Sequence, residues 1–412
     1  MRESLPPSLK ERDFALLWAA TLATGLAMQM MSVAVGWQVY AIHRSPLDLG
    51  LIGLMEFLPM LVLALPAGQF ADRFPRRSIA LVSGVLDCAV ASLLLLVTLV
   101  SGDTLWPFLA LAVATGASSA LAWPALRSLT PELVSPELLP GAMAVRSVAG
   151  QISVVAGPAV GGALFATRAE LPYAVAIGLL VGSLVCMVAL RPRPAAGERA
   201  LGLSGLMEGV RFLLRARMVL GAILLDLFAV LFGGAIALAP VFAREILHVG
   251  PAGLGALRSA PAAGALLAAL LLTRRPLRHA AGPTLILVVA LFGACMIVFG
   301  LSRWLPLSFA ALAVSGFVDM YSMNIRSTTV GLVTPNELRG RVTAVEMIFI
   351  NASNEVGAFE SGVLASLVGT VTAVVSGGVA TIAIALSWTR LFPSLARMGR
   401  LEDLRPEPVR VG

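Results

Sequence analysis

"ALRSLTPELVSPELLPGAMAV", Ala125 to Val145, and "NIRSTTVGLVTPNELRGRVTAV", Asn324 to Val345, carry the same pattern. Arg127-Ser128 answers Arg326-Ser327. After a one-residue gap, Glu137-Leu138 answers Glu337-Leu338 and Ala144-Val145 answers Ala344-Val345. An offset of 200 then continues through Ser153/Ser353, Gly157/Gly357, Gly162/Gly362 and Leu164/Leu364. Chance identity is common in apolar sequence, but one register held over about 40 residues is not. The second half of the chain therefore repeats the first, and an internal repeat decides architecture before any single element does.

Composition says what kind of unit is repeated. Of 412 residues, 58% are hydrophobic and 13% are charged, and the mean hydropathy is +0.90. A soluble chain carries roughly 25% charged residues, so this one belongs in lipid. There, every backbone polar group must be satisfied inside the spanning structure, which leaves helices or closed barrels. Apolar runs of 18 residues and more without period-2 alternation select helices. Twelve spans are expected near residues 14–42, 49–71, 78–100, 105–129, 138–167, 171–190, 217–243, 251–273, 281–302, 305–331, 340–367 and 369–391. The fifth repeats as the eleventh, so the expected fold is an all-α membrane protein of two pseudo-symmetric six-helix halves, related by an axis along the membrane normal.

The net charge of +7 does not point to nucleic acid, because the basic residues sit in short loops where they set topology. With the N-terminus inside, the cytoplasmic side collects Arg2, Lys10, Arg12, Arg73, Arg76, Arg77, Arg191, Arg193, Arg199, Arg211, Arg215, Arg217, Arg274, Arg275, Arg278, Arg339 and Arg341. The outer loops hold Arg44, Arg168, Arg244 and Arg303. Both termini are expected in the cytoplasm. Cys88, Cys186 and Cys295 lie singly in apolar segments and read as small packed residues. No cleavable signal is expected, since the start, "MRESLPPSLKERDF", is polar and the apolar run after it is long enough to remain as a span.

Three parts follow: an N-terminal six-helix bundle (1–190), a cytoplasmic linker (191–216), and a C-terminal bundle with a cytoplasmic tail (217–412). The linker opens Pro/Ala/Gly/Arg-rich. It then places Leu203, Leu206, Val210, Leu213 and Leu214 at helical spacing, as in an amphipathic helix lying on the inner leaflet.

The loop after span two reads "GQFADRFPRR", Gly68 to Arg77. Positive-inside topology accounts for Arg73, Arg76 and Arg77 but not for Asp72. A carboxylate there can accept from the free N–H groups of a helix N-terminus or pair with a cation at a helix end. The stretch resembles the G-x-x-x-D-R-x-G-R-[RK] signature of the major facilitator superfamily, with Pro75 in place of the second glycine. Twelve spans in two six-helix halves are that superfamily's architecture, and the resemblance covers nearly the whole chain. It implies a cytoplasmic gate of Gly68, Asp72, Arg73, Arg76, Arg77 and Arg127, with Asp72 paired to Arg127 and capping the start of span eleven. The equivalent loop of the second half, "TRRPLRHAAG" (Thr273 to Gly282), is basic but has no acid.

Span five carries "VVAGPAVGG", Val154 to Gly162. Gly157, Gly161 and Gly162 share a helix face, with Pro158 inside; small residues let helices approach closely and proline bends the span. This is similar to the G-P-x-x-G-G motif of the superfamily's antiporter branch, although plain tight packing uses the same residues. The opening stretch, Leu9 to Arg77, resembles the drug- and siderophore-exporter subgroup typified by enterobactin and macrolide exporters. The features are R-D-F before span one, W-Q-V-Y at its end, S-P-L-x-L-G before span two and F-L-P within it.

An ionised group at mid-bilayer costs roughly 2.5–3.5 kcal/mol on insertion scales, so each one asks for a reason. Glu56, Asp87, Asp226, Asp319, Glu355 and Glu360 sit away from the expected span ends, as does Arg258. A proton-coupled exchanger needs at least one carboxylate that binds and releases a proton between states. Glu56 is the first candidate, then Asp226, Glu355 and Asp319; each has the alternative of pairing with Arg258 or an amide such as Asn351 or Asn354 to lock helices. Gln29 and Trp37 in span one, Arg258 in span eight, and Tyr321 and Asn324 in span ten are candidate substrate contacts. Met28, Met30, Met31, Met320 and Met323 would soften such a cavity.

The expected function is secondary active export of an amphiphilic small molecule, a drug or siderophore, in exchange for protons. An uptake permease or a lipid/lysophospholipid transporter on the same fold is the alternative, and a non-transporting sensor or assembly factor is a more distant one. His43, His248 and His279 are far apart and no G-x-x-x-x-G-K-[ST] motif occurs, so neither an enzyme nor a nucleotide-driven pump is expected. No cofactor or metal is expected; the drive is an ion gradient, of H⁺. The expected partners are the substrate and membrane lipid, not nucleic acid, with the chain a monomer in the bacterial inner membrane.

Overall fold

The computed structural model of the chain describes residues 6–100, 104–191, 203–275 and 280–405, and within them not the side chains of 64–73, 123, 124, 127, 203, 204 and 206. Among the described residues the regular elements are helices, without a strand. Twelve run for 17 to 33 residues. They are α1 (Arg12–His43), α2 (Pro46–Arg73), α3 (Arg76–Val100), α4 (Trp106–Leu133), α5 (Leu139–Thr167), α6 (Leu171–Ala189), α7 (Arg217–Gly233), α8 (Gly250–Arg274), α9 (Ala281–Leu301), α10 (Leu305–Val333), α11 (Asn336–Val368) and α12 (Thr370–Leu391). A thirteenth, the linker helix, covers Leu203–Arg215.

The punctuation is local. Arg44 ends α1 in a left-handed conformation (φ 53°), its N–H donating to Tyr40 O at 3.0 Å. Proline stands in the first turn of α4, α5, α6 and α10, where its missing N–H would have had no helical acceptor. Between α11 and α12 the backbone turns at Gly369 with φ 88°, which favours glycine.

Span seven is present as an apolar stretch from Arg217 to Ile246, but not as one α-helix: the α-helix stops at Gly233, a 3₁₀ turn covers Ala235–Leu238, and a π-helical turn covers Phe242–Ile246. Two consecutive glycines and Pro240 give the physical reason, since glycine lacks helix preference and proline lacks the N–H.

Ten stretches among the described residues are long and apolar enough to cross a membrane. α11 is not among them, because it carries Glu337, Arg339, Arg341, Glu346, Glu355 and Glu360.

Contacts divide the chain into two units. Unit 1 comprises Met1–Arg44, Met55–Ala200 and Val249–Ser259; unit 2 comprises Ser45–Leu54, Leu201–His248 and Ala260–Gly412. The first residues of α2 and of α8 thus group with the opposite half of the sequence.

In unit 1, α1 lies against α5 and α6. A Cβ on Gly25 would fall 2.8 Å from Ser153 Cβ, so the small residue sets the spacing. Trp18 Nε1 donates to Val145 O at 2.9 Å, and Thr24 and Ser183 share a 2.9 Å hydrogen bond. Deeper, the fully buried Tyr173 donates its hydroxyl to Gln38, whose Nε2 lies 3.1 Å from Thr98 Oγ1, tying α6, α1 and α3. In unit 2, Gly293 and Gly378 bring α9 and α12 together: a Cβ on either would lie 2.6 Å from the other's carbonyl oxygen. Trp388 Nε1 donates to Gly221 O at 2.9 Å, joining α12 to α7. Without a water-driven hydrophobic force between helices in lipid, such close approaches and hydrogen bonds hold the bundle.

Candidate functional site

In unit 2, three helices converge on one arginine. Arg326, on α10, is 4% exposed and forms an ion pair with Asp226 of α7. Its Nε also lies 3.3 Å from Glu346 Oε1 of α11. The Nε–H has no hydrogen-bond acceptor, so the contact with Glu346 is a charge contact rather than a hydrogen bond. Asp226 and Glu346 are 7% and 8% exposed.

One cation thus holds two carboxylates inside the helix bundle. A third stands close by: Asp319 is seven residues before Arg326 on α10, which returns it to the same face. Asp226, Asp319 and Ser322 line a small cavity with Ala229, Val230, Val289 and Phe292. An arrangement with more carboxylates than cations, buried from lipid, can take up and release a proton without leaving the bundle.

Asp226 and Asp319 were expected as proton-coupling candidates, and the structure brings them to one cavity. Arg326 and Glu346 were not singled out for this. The repeat held a signal for both: Arg326 answers Arg127, and the offset of 200 sets Glu346 opposite Arg146, flanked by the matching Ala144-Val145 and Ala344-Val345. Arg146 donates to Thr130 Oγ1 at 3.1 Å. The sign of the charge reverses between the halves, and the acidic version is confined to the second.

The other acids are dispersed. Glu56 is half-buried, and its backbone carbonyl abuts Gly116 of α4. Glu355 lies over Gly53 of α2: a Cβ there would come within 3.0 Å of Glu355 Oε2. Asp87 is buried on α3 within hydrogen-bond reach of the Ser118 hydroxyl.

Among the expected substrate contacts, Gln29, Trp37, Arg258, Tyr321 and Asn324 are all half-buried. Tyr321 packs on Phe317 with ring centroids 5.3 Å apart. Arg258 donates from Nη1 to Ser32 Oγ at 2.7 Å. Met30 and Met31 do not belong with these: they are 1% and 4% exposed and fill the core. On a helix flanked by others, methionine at helical spacing is packing.

Of the expected gate, the side chains of Gly68, Asp72, Arg73 and Arg127 lie outside the described residues. Arg76 and Arg77 are described, and they do more than carry topology. Arg76 Nη1 lies 2.6 Å from Glu132 Oε1 and 3.2 Å from Ser128 O, at the end of α4. Arg77 donates to Met187 O at 2.9 Å and to Val188 O, at the end of α6. The last carbonyls of a helix have no intrahelical donor and carry partial negative charge, so Arg77 is suited to cap the end of α6, while Arg76 holds the last turns of α4 chiefly through the Glu132 carboxylate. Glu132 was not anticipated. In the loop that follows, the exposed Glu137 carboxyl is held below its usual range by its own backbone N–H and the Ser135 hydroxyl.

The span-five glycines meet two elements. Gly157 abuts Gln29 Cβ and Gly161 abuts the Met30 backbone, both on α1. Gly162 faces Pro251 O and Gly255 of α8. The second half repeats the scheme: Gly357 abuts Leu231 of α7, and Gly362 faces Pro46 O and Gly50 of α2. Pro46–Leu49–Gly50 and Pro251–Leu254–Gly255 have the same spacing, so each glycine pair is a backbone-to-backbone contact built twice.

The linker helix forms as expected, but its apolar side is turned to protein. Leu213 is 2% exposed, and Val210 packs with Val342 and Val345 of α11. Gly209 abuts the Arg341 carbonyl and Glu208 pairs with Arg341. Met207 and Leu214 remain outward.

Comparison with known proteins agrees with this architecture. The family described as "Transmembrane secretion effector", of the major facilitator type, matches residues 4–403. The enterobactin exporter EntS of Citrobacter koseri is 27% identical over 403 residues, covering 96% of this chain and 94% of that protein. EntS of Escherichia coli O139:H28 is 26% identical over 402 residues, with the same coverage. Among solved structures, a bacterial homolog of the human lysosomal transporter Spinster superposes with a TM-score of 0.74 at 14% identity, covering 93% of this chain and 98% of that one. A D-xylose-proton symporter gives 0.70 at 12% identity, covering 93% and 98%. The repeat, the twelve helices and the match along almost the entire chain lead to one conclusion: the protein is a multi-pass membrane transporter of the transmembrane secretion effector family within the major facilitator superfamily, and not an enzyme.

Proposed function

We propose that the protein exports an amphiphilic small molecule, a siderophore or a drug, in exchange for protons by alternating access. The observation that carries the reading is the buried Asp226–Arg326–Glu346 cluster with Asp319 beside its cavity. Where one arginine is shared by several acids, the loss or gain of one proton changes which carboxylate it holds. Because the acids sit on α7, α10 and α11, that choice is linked to how three helices pack. Export rather than uptake is supported by relatives named as enterobactin exporters.

Within unit 1, substrate contacts are assigned to Gln29, Trp37 and Arg258; within unit 2, to Tyr321 and Asn324. Glu56 and Glu355 are secondary proton carriers, and Asp72 with Arg127 forms the cytoplasmic gate. The chain works as a monomer in the bacterial inner membrane with both termini in the cytoplasm, drawing on the proton gradient without a cofactor.

The test uses inverted membrane vesicles containing the protein, with enterobactin and a fluorescent cationic dye as probes, with and without an imposed pH gradient. Gradient-dependent accumulation of either, lost in Asp226→Asn, is the expected result. Accumulation that ignores the gradient would exclude proton exchange; normal accumulation by Asp226→Asn would exclude the cluster as its carrier.

A further inference from the structure

The charge cluster of unit 2 has two unlike sides. On one, the cavity is lined by residues beyond Asp226 on α7 and before Arg326 on α10, Asp319 and Ser322 among them. On the other, toward the start of α7, the end of α10 and the start of α11, each charged residue has a buried apolar one a turn away. Ile223 stands three residues before Asp226, Val330 four after Arg326 and Val342 four before Glu346, about 4–6 Å along each helix. All three belong to one packed cluster.

The three helices do not complete that layer by themselves. Leu213 and Ala216, at the end of the linker helix, are buried members of the same cluster. Leu213 is 2% exposed, while its neighbour Leu214 is 64% exposed, so one side chain is driven into the layer and the next is left out. An apolar constriction keeps water from what lies behind it, and a small displacement wets it.

The linker helix is also attached as a movable element would be. Ala216 joins it to α7 and has φ −80° and ψ 76°, outside the helical range, so the two helices meet at a one-residue joint. Such joints absorb the backbone change when rigid elements swing. Away from the joint, Glu208 pairs with Arg341 of α11; both are partly exposed, and ion pairs in that setting hold weakly.

We propose that the linker helix is a lid on the charge cluster: Leu213 stoppers the linker-side end of α7, α10 and α11, and lifting about Ala216 opens that end to water. For the proton exchange proposed above, the lid sets the side and the moment at which the cluster meets the aqueous phase. That use rests on the reading of the cluster as a proton carrier; the seal itself is a property of the packing.

The test is thiol accessibility in the purified full-length protein in detergent, without gradient or substrate, so failure of proton exchange cannot mimic failure of the lid. Val330→Cys is placed in a chain whose Cys88, Cys186 and Cys295 are replaced by alanine, and its reaction with a charged methanethiosulfonate is followed by mass spectrometry. Beneath a closed lid it should react about 100-fold more slowly than Leu214→Cys in the same background. Leu213→Ala should speed the Val330→Cys reaction by about 10-fold or more, the effect of emptying a packed leucine site. Leu213→Val, a milder change, should give an intermediate rate, and Glu208→Ala a smaller acceleration. Trp388→Phe, which loosens α12 from α7 away from Leu213, should leave the rate unchanged and so separates lid opening from general loosening. Equal rates for Val330→Cys and Leu214→Cys, no acceleration by Leu213→Ala or Leu213→Val, or an equal acceleration by Trp388→Phe would each overturn the proposal.

Discussion

Arg326→Gln is the perturbation that interrogates the buried cluster most directly. At the 3.3 Å separation from Glu346, an effective dielectric near 20 gives an attraction of about 5 kcal/mol. The closer pair with Asp226 gains a similar amount. Against this stands a desolvation penalty of several kcal/mol for each of the three buried ions. The intact cluster is therefore near balance, while removal of the cation alone leaves two carboxylates facing each other without it.

Breaking a buried pair from one side costs about 3–5 kcal/mol, whereas replacing all the charges by neutral groups of similar volume is often close to neutral. Arg326→Gln should therefore be strongly destabilised. The triple variant Arg326→Gln, Asp226→Asn, Glu346→Gln should recover most of the loss, a non-additivity that measures the coupling. Cys88, Cys186 and Cys295, all partly buried in spans, let a thiol-reactive fluorophore follow thermal unfolding in detergent. Equal loss of stability in the single and triple variants, or none in the single, would refute the reasoning. The triple variant should be folded yet inactive in gradient-driven transport.

Gly162→Val and Gly362→Val should each cost about 1–3 kcal/mol, the range for overpacking, because a Cβ would meet Gly255 Cα at 2.9 Å and Gly50 Cα at 3.0 Å; thermal unfolding checks this, and equal stability would show that the helix pairs separate freely. Trp388→Phe removes the 2.9 Å bond to Gly221 O and should cost about 1 kcal/mol, read as a fall in unfolding temperature. Glu208→Ala removes a partly exposed pair with Arg341 and should change stability by less than about 1 kcal/mol; a larger loss would mean the linker helix is held by that pair rather than by Leu213 and Val210. Arg77→Leu uncovers the Met187 carbonyl at the end of α6 and should cost about 1–2 kcal/mol at a helix C-terminus, measured the same way.

The sequence by itself determined the membrane class, the twelve helices, their approximate ends and the twofold repeat. These follow from local properties: an apolar run long enough for a bilayer forms a helix wherever it sits, and prolines and basic loops mark its limits. The linker helix was legible for the same reason. Span seven was legible only in part, because the Gly233-Gly234 break in an apolar run gives no change of hydropathy.

Only the tertiary structure decided which charges meet. Asp226 lies on a helix far from Arg326 in sequence and Glu346 on the next helix, and an acid looks the same in sequence whether an arginine or a serine faces it. Tertiary packing likewise paired Arg76 with Glu132 of α4, made Arg77 a cap for α6, put Met30 and Met31 into the core, and turned the linker helix toward α11. Helix formation is fixed by backbone hydrogen bonds within a segment, whereas the partner of a side chain depends on rotation and depth between segments. For that reason the architecture could be read from spacing, and the charge cluster could be read only once α7, α10 and α11 were brought together.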